Sequence, residues 1–310
     1  MGGVQSRSSS DSDECRPVRG MRGEESATIS RMSYGRGRRH PIAVNSSYLM
    51  PANSAEMDRL DCQHYFLLAV LGARYLSPVK KLQRVLDIGT GTGIWMLEMA
   101  AEYRDCEFIG LDVVPLQPEA VLPVNCQFRI KNVVDAAGIP YPDGTFDLIH
   151  HRLLVLGLSW RDWPDYIRDC ARVLNWGGWL EVQETGGYLM HAGPHGQRMH
   201  RIQQRVTRAN DIELGIVLKI DQLMERAQLQ NIRIEVFPIP VGSWGGQIGE
   251  MAWNNYRAAY TTLAPLLAAA EGVSESEIIE LIDAIGEEVN RNQCYYEYYC
   301  YYGQKLACST

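Results

Sequence analysis

The sequence predicts an α/β fold built on a doubly wound, mainly parallel sheet, and two features carry that expectation. Between residues 84 and 184, apolar runs of strand length alternate with stretches of helical length. That alternation places helices on both faces of a parallel sheet. The first strand ends on Asp87 and enters a turn with glycines at 89, 91 and 93, which leaves as the helical run 94–100. Glycines let backbone lie against a ligand where a Cβ would collide, and the turn and helix N-terminus offer free N–H groups.

The elements follow in order. Residues 55–76 read as one or two helices, with Ser54 as a plausible N-cap. Strands are expected at 84–87, 106–111, 126–131, 146–150 and 179–183, and helices at 94–103 and 166–174, the latter closed by Gly177-Gly178. Beyond Glu184 the pattern changes. Helices are expected at 197–209, 216–229, 249–270 and 275–289, with a strand at 232–238. The tyrosine-dense run 295–304 reads as an edge or antiparallel strand with alternate tyrosines packed. Residues 1–43, rich in Ser, Arg, Gly and Asp, read as a disordered tail, and 44–310 as one folded domain with helical cap segments at about 185–230 and 245–292.

Charge narrows the function classes. Residues 1–40 carry eight arginines against five acids, a local +3, which leaves −10 for the rest of a chain whose total is −7. An acidic body argues against direct, non-specific nucleic-acid binding. The eight cysteines form no C-x-x-C pair, which reads as reduced thiols in an intracellular, cytoplasmic or nuclear protein. No metal site is expected. Arg36-Gly37-Arg38-Arg39-His40 reads as a solvated linker or an import patch. The opening Met1-Gly2-Gly3-Val4-Gln5-Ser6 fits the N-myristoylation pattern, so membrane association is expected only if Gly2 is acylated, with Cys15 and nearby arginines as a second signal.

The glycine spacing discriminates between ligands. A dinucleotide fingerprint is G-x-G-x-x-G. Here the third glycine comes one residue early and Asp87 precedes the first by two. A carboxylate there repels a pyrophosphate and suits an ammonium group. An NAD-dependent oxidoreductase is therefore disfavoured. Asp112, 23 positions after Gly89 at the end of the second strand, is placed to accept hydrogen bonds from ribose hydroxyls, or is a loop or N-cap acid. Asn132, past the third strand, is a candidate partner for an adenine amino group, with Asp135 competing. His150 and Arg152 share one side of the fourth strand, with His151 opposite. All three are catalytic candidates, and a histidine there serves either as a general base or as a packed scaffold residue.

Asp-x-Gly-x-Gly-x-Gly resembles the first motif of class I S-adenosylmethionine (SAM) methyltransferases. Several further segments match the same pattern: Glu56-Met57-Asp58-Arg59-Leu60-Asp61 with His64; Gly110-Leu111-Asp112 with Gln117-Pro118; Tyr141 to Asp147; His150 and Arg152; Trp163-Pro164; Gly177 to Glu181; and Gly303-Gln304-Lys305. Together they make residues 48–306 resemble a fungal family of SAM-dependent methyltransferases that includes secondary-metabolism enzymes and nuclear regulators. The resemblance implies a Rossmann-like seven-stranded sheet with its last strand antiparallel, an N-terminal helical lid over the cofactor, and a late helical cap. It implies a SAM site built from Asp87, Gly89, Thr90, Gly91, Gly93, Asp112, Val113, Asn132, Val133 and His150. Tyr48 and Arg59 become candidate lid contacts, or else a core tyrosine and a surface ion pair. Lys131-Asn132-Val133-Val134 departs from the commoner acidic pattern. The implied activity is O- or N-methylation of a small molecule, with protein methylation or a regulatory scaffold with protein partners as alternatives. Trp244, Trp253, Tyr256 and Tyr260 are candidates to line the acceptor pocket, or else core.

Overall fold

A computed structural model describes residues 49–51, 53–114 and 122–307. Tyr48, Gln117-Pro118 and the whole basic tail with Gly2, Cys15 and Arg36–His40 lie outside the described residues. The elements run α1 (Ser54–Leu71), β1 (Arg84–Ile88), α2 (Ile94–Glu102), β2 (Glu107–Asp112), β3 (Cys126–Ile130), β4 (Phe146–Arg152), α3 (Trp163–Val173), β5 (Leu174–Glu184), α4 (Pro194–Ala209), α5 (Ile220–Arg226), β6 (Gln230–Pro240), α6 (Gly246–Glu271), α7 (Glu275–Arg291) and β7 (Tyr295–Gln304). The strands form one sheet in the order β3-β2-β1-β4-β5-β7-β6. β1 to β5 are parallel, and β7 runs antiparallel to both β5 and β6.

Strand alternation divides the core. Leu86, Ile109, Ile149 and Leu180 pack with Trp163, Ile167 and Cys170 of α3 and with Ile220 and Met224 of α5. Their neighbours Val85, Phe108, Leu148 and Trp179 face the other way, onto Trp95, Met96 and Met99 of α2. A further apolar cluster joins Phe66 and Leu67 of α1, Met199 and Ile202 of α4, Tyr256 and Tyr260 of α6, and Ile282 and Ile285 of α7. It makes a helical layer distinct from the α5 flank. Of the two expected cap segments, α4, α6 and α7 join this layer, whereas α5 packs on α3, β6 and β7.

Three local expectations need correction. The N-cap of α1 is Asn53, whose side chain accepts the Glu56 N–H at 2.9 Å, and Ser54 is the first helical residue. Gly177-Gly178 do not close α3. They lie inside β5, where a Cβ on Gly178 would come within 3.0 Å of the Asn175 and Phe146 carbonyl oxygens. The 216–229 helix is instead a 3-10 segment, Leu214–Lys219, followed by the short α5. Strand β7 is antiparallel, as one of the two expected readings had it, and lies inside the sheet rather than at its edge. Its tyrosines alternate, with Tyr298 facing the helical layer and Tyr301 facing the α3–α5 side.

Glu184 ends β5 fully buried, and its carboxyl accepts the Leu154 N–H at 2.6 Å and the Val155 N–H at 3.4 Å. It thereby fixes the loop leaving β4. Burial pushes its pKa up to about 8. The folded state then holds a proton that the unfolded chain releases from about pH 4.5 upward, so stability is lost as pH rises toward 8. Glu184→Gln keeps an acceptor for Leu154 and removes that titration. We expect the variant to gain on the wild type by on the order of 1 kcal/mol per pH unit across this window, read by denaturant melts at several pH values. Parallel curves for the two proteins would show that Glu184 does not titrate there.

Candidate functional site

In an open α/β sheet, ligands sit beyond the carboxyl ends of the strands where the strand order reverses. That point here lies between β1 and β4, and a cavity of about 280 Å³ opens over it. Its floor is the glycine turn with the tips of β2 and β4, and its roof is α1, α4 and α6. Gly89 and Gly91 have φ of +68° and +56°, the left-handed region that other residues enter only at a cost. This curls the chain so that its backbone borders the cavity.

The turn is held from beneath. Asp87 is buried, and both its oxygens are taken. Oδ2 accepts the Thr90 hydroxyl at 2.6 Å, and Oδ1 lies 2.8 Å from His150 Nδ1. The His150 ring stacks on Trp95 of α2 at 3.8 Å and 5°. A second acid, Asp61 of α1, accepts the Thr92 hydroxyl at 2.6 Å. Two helices and two strands therefore converge on one loop.

The wall runs from polar to apolar. At the β2–β3 end stand Asp112, Val113, Lys131, Asn132 and Val133, with Ile88 and Leu111 behind. Asp112 accepts the Gly91 N–H at 2.9 Å and the Val114 N–H at 3.1 Å, and burial raises its pKa. At the opposite end are Phe66, Leu67, Val206, Leu263, Tyr256, Tyr260 and Tyr298. Asp112 is the one carboxylate among the described lining residues, and none of them is a histidine. Gln203 Oε1 is buried with no hydrogen-bond partner among the described residues, and the buried hydroxyls of Tyr256 and Tyr260 face one another and no further partner there. Burial pushes both phenols up, so they stay protonated.

Most of the sequence-expected residues meet here, with instructive exceptions. Gly89, Thr90, Gly91, Asp112, Val113, Asn132, Val133, Arg59 and Arg152 line the cavity. Asp87, Gly93 and His150 do not reach its wall and brace it from behind. Gly93 is the N-cap of α2. His151 points to the other face, fully buried, hydrogen-bonded to the Tyr166 hydroxyl and stacked on that ring. Burial drops its pKa to about 3, so it is a neutral core residue far from proton-transfer duty. Arg59 is no surface ion pair. It forks onto the buried Glu56 at 2.6 and 2.8 Å and reaches Asn255 of α6 at 2.8 Å, clasping α1 to the cap. Of the four aromatic candidates for an acceptor pocket, Tyr256 and Tyr260 line it, with rings 4.2 Å apart. Trp253 instead packs against Gly286 of α7, and Trp244 donates its indole N–H to the Val241 and Cys294 carbonyls. Sequence reasoning gave no role to Glu98 or Gln203, and it placed Asp61 in a matching segment without a role. The partners of Asp61 and Glu98 lie 31 and 34 residues away.

Comparison with known proteins agrees with this geometry. A family model described as a methyltransferase domain matches residues 61–234, more than half of the chain. Methyltransferase pytC of Aspergillus terreus is 30% identical over 283 residues, covering 86% of this chain and 85% of its own. Secondary metabolism regulator LAE1 of Cochliobolus heterostrophus is 36% identical over 140 residues, covering 43% of this chain and 44% of its own. Among solved structures, phosphoethanolamine N-methyltransferase 2 of Haemonchus contortus, in complex with SAM, aligns at TM-score 0.48 and 15% identity over 77% of this chain and 52% of that one. The family match and the near full-length likeness to pytC decide the matter: this chain belongs to the methyltransferase domain family and is a SAM-dependent methyltransferase.

Proposed function

We propose that the chain methylates an oxygen or nitrogen of a small, flat, largely apolar acceptor of secondary metabolism. The observation that carries this reading is one continuous cavity, polar where a nucleoside needs it and aromatic at the far end. The donor set fits the cofactor. Asp112 borders the cavity and keeps acceptor capacity for ribose hydroxyls beyond its backbone N–H bonds, Val113 and Val133 offer apolar faces to an adenine ring, and Asn132 stands beside them. The backbone of Gly89 to Gly91 passes close enough to meet the ligand directly. Asp87, Thr90 and His150 act through the turn by holding its shape.

Bound there, SAM supplies an electrophilic methyl on a sulfonium sulfur, already activated for in-line displacement. The work left to this chain is alignment and exclusion of water. Phe66, Leu67, Val206 and Leu263 exclude it, and the Arg59–Glu56–Asn255 clasp keeps the roof over the site. Gln203 Oε1 and the two phenol hydroxyls await hydrogen-bonding groups on the acceptor. A buried polar atom without a partner costs about 1–3 kcal/mol, which a matching ligand recovers. With no imidazole or carboxylate at that end among the described residues, the proton displaced by methylation leaves to solvent rather than to a dedicated base. Regulation through a protein partner is the second reading, favoured by the 36% identity with the LAE1 regulator, although that match covers 43% of this chain against 86% for pytC.

Two outcomes follow. Asp112→Ala should weaken S-adenosylhomocysteine binding about 10- to 100-fold in calorimetry, the loss typical of hydrogen bonds to a charged group. Wild-type affinity in that variant would move the ribose elsewhere. At the other end, Gln203→Leu, Tyr256→Phe and Tyr260→Phe should lower turnover or shift acceptor preference in a methylation screen of fungal extract. Their affinity for S-adenosylhomocysteine should stay within about 3-fold of wild type. Unchanged turnover and preference in all three would remove the acceptor from the cap.

A further inference from the structure

We infer that Glu98 and His64 form a tautomer clamp that aims the Arg152 guanidinium into the cavity as the receptor for the cofactor's carboxylate, so that protonation of His64 weakens cofactor binding. The inference rests on the SAM site proposed above.

The clamp is read from donor and acceptor chemistry. Arg152 Nη2 lies 2.9 Å from His64 Nδ1. A guanidinium has donors only, so Nδ1 must be the acceptor, and the ring proton sits on Nε2. That proton is donated to Glu98 Oε2, 3.1 Å away. Glu98 is steadied in turn by Arg74, whose Nε donates to the same oxygen at 2.9 Å. The imidazole is 1% exposed. Helices α1 and α2 thus cooperate to fix one neutral tautomer, which the β4 tip uses as a rest for its arginine.

Arg152 is a permanent charge, half-buried at the cavity wall, with no carboxylate within ion-pair distance among the described residues. Asp87, Asp61 and Glu98 lie near enough to favour its charge, but each is committed elsewhere, to His150, Thr92 and His64 respectively. An unpaired charge at a largely enclosed wall is costly, and an anion entering the cavity relieves that cost. Sheet order identifies the anion. In the order β3-β2-β1-β4, adenine beside Asn132 and ribose at Asp112 occupy the β3 and β2 tips. The remainder of the cofactor then crosses the glycine turn of β1 toward β4. Its amino-acid end arrives at Arg152, one residue beyond the His151 that pairs with Ile88.

The groups that face His64 set the pH response. They are Arg152 from β4, Glu98 from α2, Arg74 from the loop after α1, and Tyr65 on its own helix, while Asp61 acts on Arg152 and Tyr65. Burial first and Arg152 second lower its pKa below 6.5. It is therefore neutral at and above neutral pH and gains its second proton only in acid. A doubly protonated ring has no acceptor for Arg152 and repels it.

The test compares two probes in calorimetry: S-adenosylhomocysteine and its decarboxylated analogue. Arg152→Gln should weaken S-adenosylhomocysteine about 10- to 100-fold and leave the analogue within about 3-fold. His64→Leu should act in the same direction. His64→Asn, which offers an amide oxygen near the Nδ1 position, should restore most of the affinity. In the wild type, affinity for S-adenosylhomocysteine should fall as the pH is taken from neutral into acid while that for the analogue stays level. This last comparison needs no variant to fold. Equal loss of both probes in Arg152→Gln, unchanged binding of S-adenosylhomocysteine in that variant, or parallel pH profiles would each overturn the inference while leaving the cofactor site intact. Wild-type protein that binds neither probe would overturn the site and the inference together.

Discussion

Both oxygens of Asp87 are engaged inside the protein, and the geometry of the site depends on that. A carboxylate taken out of water is tolerated only where its lone pairs are met. Thr90 meets one and His150 the other. The first bond closes the glycine turn on itself. The second ties β1 to β4 across the point where the sheet order reverses, and the Trp95 stack carries the tie into α2. The acid that begins the motif therefore works from beneath the ligand. An ammonium partner, which its place in the sequence suggests, would have to compete with two short internal hydrogen bonds.

The cavity follows from two layers with different origins. Its polar groups sit on strand tips, where parallel pairing fixes backbone positions closely. The register Leu111 to Ile88 and His151 to Ile88 sets Asp112 and Arg152 on either side of the glycine turn. Its apolar end comes from α1, α4 and α6, which pack on one another as a separate cluster. The Arg59–Glu56–Asn255 clasp ties α1 to α6 within that helical layer through a buried ion pair. A buried pair contributes little net stability but strongly penalises the wrong arrangement, because separating it strands a charge. It suits a roof that must sit in one position.

The fold was legible because its signals are local. The glycine turn, the five strand-length apolar runs and the acids at strand ends all lie within a few residues of what they specify. Asp112 and Asn132 were found this way, Val113 and Val133 were implied by the family resemblance, and all four border the cavity. What escaped was set by tertiary pairing. Glu98 reads as an ordinary helix-surface acid until His64, 34 residues earlier, meets it. Trp253 and Tyr256 look alike on one helix, yet only the tyrosine turns to the cavity, because Gly286 of α7 opens a seat for the indole. Gly177-Gly178 resemble a helix stop. The real reason for Gly178 is the closeness of three carbonyl oxygens at the β4–β5 irregularity, which no one-dimensional pattern expresses.

The division between strand tips and helical cap also bears on how acceptor choice can vary. Methyl transfer from a sulfonium needs alignment and desolvation more than proton transfer, and the described wall of the acceptor end holds no imidazole or carboxylate. A new acceptor therefore requires a reshaped cap rather than a relocated base. Gln203 on α4 and Tyr256 and Tyr260 on α6 belong to helices that contribute none of the sheet pairing around the turn. Substitutions there change volume and hydrogen-bonding pattern without disturbing Asp87, Asp112 or their strand register. The coupling that remains runs through Arg59, since it touches Asn255 on the same helix as the tyrosines. A cap that shifts to admit a larger acceptor must either keep that contact or leave the Arg59–Glu56 pair to hold α1 alone. The Asn255 position, one residue before Tyr256, is thus where acceptor size and closure of the cofactor site constrain each other.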